Sequence, residues 1–67
     1  MKGDKLRGII VAKGMTQHQV AREIGISPKT FYNKMKKGIF DTDEVRKMAA
    51  VLEINNLSEL ADIFLRD

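Results

Sequence analysis

Between Thr16 and Ser27 the chain writes two helix starts and one helix stop, and this punctuation constrains the fold more than any other feature. Thr16 and Gln19 form a T-x-x-Q capping box, in which each residue satisfies a backbone amide of the other. Met15 and Val20 take the N′ and N4 places of a hydrophobic staple. The helix so begun runs to Gly25, a residue that adopts the left-handed conformation past a helix end without steric cost. Ser27 then caps a second helix, with Pro28 at its first position, where a fixed φ helps and the missing donor loses nothing. Ile26 and Phe31 repeat the staple spacing. Two short helices therefore meet across Gly25-Ile26-Ser27, a helix-turn-helix unit whose turn is short enough to fix the angle between them.

The flanking sequence predicts three more helices and no strand. One runs from a cap at Asp4 to Lys13, with Leu6, Ile9 and Ile10 on one face and Gly14 as its stop. A fourth starts at Asp41, where Asp41 and Glu44 make a capping box and Phe40 and Val45 a staple. Its Val45, Met48, Ala49 and Leu52 recur at helical spacing, and Asn55 is the expected stop. A fifth opens at Asn56 and Glu59 and carries Leu57, Leu60, Ala61 and Phe64 inward. The fold class is thus all-α, a compact five-helix bundle, with residues 1–67 forming a single domain. The expected core comprises Leu6, Ile9, Ile10, Val20, Ala21, Ile24, Ile26, Phe31, Met35, Val45, Met48, Ala49, Leu52, Leu57 and Leu60. Connections are short, and neither repeats nor low-complexity segments occur.

Charge separates along the chain. Residues 1–38 carry nine basic side chains against two acids, a balance of +7, and residues 39–67 carry three against seven, a balance of −4. The third helix holds Lys29, Lys34, Lys36 and Lys37 within nine residues and no acid. Such polarity suits a basic face presented to a polyanion and an acidic back turned away from it. There is no cysteine, which excludes disulfides and thiolate zinc sites. No apolar run nears the roughly 18 residues of a membrane span, and no signal-peptide stretch opens the chain. These features predict a soluble, cytoplasmic protein with no cofactor, metal, membrane or small-molecule ligand. His18 is the single histidine, and it reads as a solvated side chain rather than a ligand or catalytic group. No residue set has the look of an active site.

With these residues in view, the chain resembles the Cro/repressor-type (XRE) helix-turn-helix family, and small phage and mobile-element regulators in particular. The resemblance spans roughly residues 4–54 and rests on Met15-Thr16-Gln17, Val20-Ala21, Ile24-Gly25-Ile26-Ser27, Thr30-Phe31-Tyr32, the Lys37-Gly38 turn and the Glu44 to Leu52 helix. It implies a lambda repressor-like five-helix fold and binding to a double-stranded DNA operator, usually by two protomers on a pseudo-palindrome. Carried over position by position, the base-reading places fall on Pro28, Lys29, Thr30 and Asn33, and the phosphate-clamping place on Gln17. Pro28 departs from the polar residue common there and offers a base only apolar contact, for example to a thymine methyl.

Lys29 and Asn33 share a helix face, and their side chains match guanine and adenine edges respectively. Against this stands the plainer reading that Lys29 meets only phosphate and Asn33 only water. Thr30 at N3 serves either a base or its own helix end. Lys34, Lys36 and Lys37 are expected to hold phosphates, which gives affinity without sequence information. Tyr32 either packs on the fourth helix or sets its hydroxyl beside a phosphate, and the second is preferred. Ile63, about 100° round from Phe64, is expected to face outward with Leu65 and to form a weak homodimer contact completed on DNA. The leading function is a Cro-like repressor acting by operator occupancy. The alternative is a protein-interaction module on the same scaffold, an antirepressor or antitoxin.

Overall fold

In a computed structural model, which describes residues 1–65, the chain is all-helical: α1 Gly3–Ala12, α2 Gln17–Glu23, α3 Pro28–Lys37, α4 Thr42–Val51 and α5 Leu57–Phe64. No strand occurs among the described residues. Local chemistry sets most of the starts. Thr16 Oγ1 accepts from Gln19 N–H at 3.1 Å while Gln19 Oε1 accepts from Thr16 N–H at 2.9 Å, a complete capping box. Asp41 and Glu44 do the same at the head of α4. Asn56 Oδ1 accepts from the amides of Ser58 and Glu59 and so caps α5.

Four helices stop in one way. Gly14, Gly25, Glu53 and Gly38 each take a positive φ just past a helix. The residue that follows each, Met15, Ile26, Ile54 or Ile39, donates its amide back to a carbonyl five residues earlier, as in a Schellman motif. Two expectations are corrected at helix ends. Glu53 at φ 56°, not Asn55, ends α4, and its carboxylate takes Lys13 Nζ at 3.1 Å. Asp4 does not cap α1: Lys2 stands at the N-cap, and Asp4 lies in the first turn bonded to Arg7 at 2.8 Å.

Packing is centred on Leu6, Ile10, Val20, Phe31, Met48 and Leu52, all fully or nearly fully buried. Ala21 is also fully buried, on α2 where it packs on α3. Phe40 bridges to Phe31 at 5.3 Å between ring centroids and to Phe64 at 6.5 Å, favourable tilted and edge-on contacts that tie α3 to α5. The Cα radius of gyration, 10.6 Å, matches the roughly 11 Å of a well-packed chain this long.

The roll of α5 corrects the main core expectation. Ile63, expected outward as a dimer contact, is 0% exposed, whereas Leu57, expected inward, is 82% exposed. The cause lies on α1. Lys2 N–H donates to the Ile63 carbonyl at 2.7 Å, and the Asp62 carboxylate takes both Lys2 Nζ, at 2.8 Å, and Lys5 Nζ. These bonds join the Asp62-Ile63 edge of α5 to the head of α1, with Ile63 buried, Leu60 and Phe64 partly buried against the core and Leu57 in solvent. Ile54, also unforeseen, is buried because it follows the α4 stop. Leu65 stays exposed, at 83%, as expected.

Candidate DNA interface

The third helix presents two faces of different chemistry. Phe31 and Met35 turn inward and are buried. At about 100° per residue, Lys29, Tyr32, Asn33, Lys36 and Lys37 fall within an arc of about 140° on the opposite side, and all five are exposed. The stripe is anchored at its head by Ser27, whose Oγ accepts from Thr30 N–H at 3.1 Å and donates to Thr30 Oγ1 at 2.8 Å. Thr30 thus serves its helix end. Pro28 is half-buried at the first position. Tyr32 lies mostly in solvent, and Gln17 sits half-buried in the first turn of α2. His18 is exposed.

Ion pairing sorts the cations. Among the described residues, Lys2, Lys5, Arg7 and Lys13 around α1 and Arg46 and Lys47 on α4 all have acid partners. Lys34 is paired too: its Nζ stands 2.8 Å from both Glu44 Oε1 and Glu44 Oε2. Arg22, Lys29, Lys36 and Lys37 have no acid partner, and all four belong to α2 and α3. The structure therefore sets Lys34 apart from the other lysines of its helix. It also adds Arg22, which the sequence reading overlooked. The signal was there, since no acid lies three or four residues from Arg22 in either direction.

The two ammonium groups hydrogen-bonded to Asp62 hold its carboxyl down at about 2, below the ordinary 3.8. No group of His, Cys, Asp and Glu side chains among the described residues could hold a metal ion, and no helix is long and apolar enough to cross a membrane.

The positive face and the helix-turn-helix geometry define a nucleic-acid reader. A family model for the Cro/C1-type helix-turn-helix DNA-binding domain matches residues 5–64. The chain belongs to that family. No curated protein and no solved structure gives a significant match.

Proposed function

We propose that the chain is a Cro-like transcriptional repressor that occupies an operator and blocks polymerase from it, in the manner of small phage and mobile-element regulators. The carrying observation is the confinement of the described unpaired cations to α2 and α3. A charged side chain already held by an acid gains little from a phosphate, whereas a free one releases counterions on binding. In this reading α3 enters the major groove by its N-terminal half. Asn33 pairs with adenine, Lys29 with guanine, Thr30 offers its hydroxyl, and Pro28 gives apolar contact. Gln17, Tyr32, Lys36, Lys37 and Arg22 hold the backbone on either side.

Operators of this family call for two protomers, and buried Ile63 cannot join them. An apolar groove of about 570 Å³ lies between the α3–α4 turn and α5, bordered by exposed Ile39, Leu57 and Leu65. None of its eleven lining side chains is charged. A two-fold contact sets the same patch of both protomers face to face, and an uncharged apolar patch can bury itself there without leaving a charge unpaired. Eleven residues fall well short of the roughly 20–30 a side of a standard interface, which fits a weak dimer completed on DNA. Leu57→Asp should abolish cooperative occupancy of a full operator while half-site binding and fold persist. Unchanged cooperativity would place the contact elsewhere.

Selection of bound duplexes from a random pool tests the function. The expected result is one enriched, two-fold symmetric sequence with half-sites about 34 Å apart, one turn of DNA. A pool that emerges without enrichment contradicts sequence-specific reading.

A further inference from the structure

Glu44 is the one charged residue buried among those described, at 7% exposure. A carboxylate out of water is tolerated only when paired and hydrogen-bonded. Here Oε1 accepts from the Asp41 amide at 2.9 Å and from Lys34 Nζ at 2.8 Å, and Oε2 lies 2.8 Å from the same ammonium. Glu44 sits in the first turn of α4, and Lys34 sits in the last turn of α3, across the Gly38–Asp41 connection.

We infer that the Lys34–Glu44 pair is a clasp that sets the roll of α3, making Lys34 a positioning residue for base reading and not a phosphate contact. The inference rests on α3 being the helix that meets DNA. Lys34 cannot serve two anions. Swinging out to a solvated phosphate would strand the buried Glu44 carboxylate, and an exposed pair returns too little to offset that. The main support of α3 is its packing on α2, through the side that carries Phe31 and Met35. Lys34 projects from the flank, about 100° round from Asn33, and Glu44 holds that flank to α4. Rolling α3 would carry Asn33 and Lys29 off the base edges, where geometry is strict. Long lysines such as Lys36 and Lys37 would still follow the phosphates.

The test measures binding of the parent, Lys34→Met, Lys36→Met and Glu44→Gln to the selected operator and to random duplex, across salt, well below each variant's Tm. Lys34→Met should lower the operator-to-random affinity ratio by about five- to tenfold, the low end of what one base contact is worth, with random binding and salt slope unchanged. Glu44→Gln should lower that ratio in the same direction although its side chain lies on α4. Lys34→Arg, which can still grip the carboxylate, should restore most of it. Lys36→Met should instead flatten the slope by about one unit. If Lys34→Met flattens the slope and keeps the ratio, or changes neither, the clasp is overturned while DNA reading stands. A parent that binds no duplex overturns both. Should Lys34→Met fail to fold, Lys34→Gln replaces it with the same expected outcome.

Discussion

Asn33 and Lys36 stand on one exposed face of α3 and would meet different parts of a duplex. An amide matches the donor and acceptor of an adenine edge, whereas an ammonium on a long stem is a point charge suited to phosphate. Asn33→Ala should therefore cost about 1–3 kcal/mol on the selected site and relax the preference at one base pair, with little loss on random DNA. Lys36→Ala should weaken both nearly equally. Competition titrations against single-base operator variants separate the two, and identical profiles would remove Asn33 from the readers. Asp62 lies outside the interface and accepts from Lys2 and Lys5. Its carboxyl is depressed in the folded chain, so the stability it supplies is fully present above its ordinary 3.8 and fades as pH falls toward about 2. Asp62→Asn should lower the urea midpoint at pH 7 and converge with the parent near pH 2. A difference that persists in acid would mean the carboxylate is not its source.

At the scale of elements, Glu53 is the exception among four similar helix stops. Three use glycine, and Glu53 holds φ 56° with a Cβ that crowds the following carbonyl. Glu53→Gly should relieve about 1–2 kcal/mol of that strain and return about 0.5–1 through the looser unfolded chain, with the exposed Lys13 pair also lost. A net gain of a few tenths to about 1 kcal/mol in urea unfolding is expected. Helix starts were legible in sequence because a cap is a local pattern: Thr16 with Gln19, Ser27 with Pro28, Asp41 with Glu44. The stop at Glu53 was not, since nothing in a glutamate announces a left-handed backbone. The roll of α5 was illegible for a different reason. Leu57, Leu60, Ala61 and Phe64 and the alternative Leu60, Ile63 and Phe64 both make helical stripes, and the packing of α5 on distant α1, with Lys2 and Lys5 on Asp62, decides between them. Of the site, the stripe on α3 could be read from spacing. The withdrawal of Lys34 could not, because its partner lies ten residues away across a turn.

Across the whole molecule, charge is divided twice, once along the sequence and again by pairing. The first division gives +7 and −4 in the two parts. The second leaves Arg22, Lys29, Lys36 and Lys37 as the described cations free to meet a polyanion. The interface is thus a small set of unpaired groups on a helix-turn-helix frame, with the remaining described lysines and arginines each paired with an acid. That partition carries a quantitative consequence for binding. Three or four neutralised phosphates per protomer should give a log–log salt slope of about −3 to −4, shallower than if every lysine of α3 took part. Titration of the single-protomer half-site duplex from about 50 to 200 mM salt measures it most directly. A slope of about −3 to −4 is expected for the parent, reduced by about one in Lys36→Ala and unchanged in Lys2→Ala. A slope near zero, or one that Lys2→Ala reduces as much as Lys36→Ala does, would contradict the assignment of α2 and α3 as the DNA-binding face.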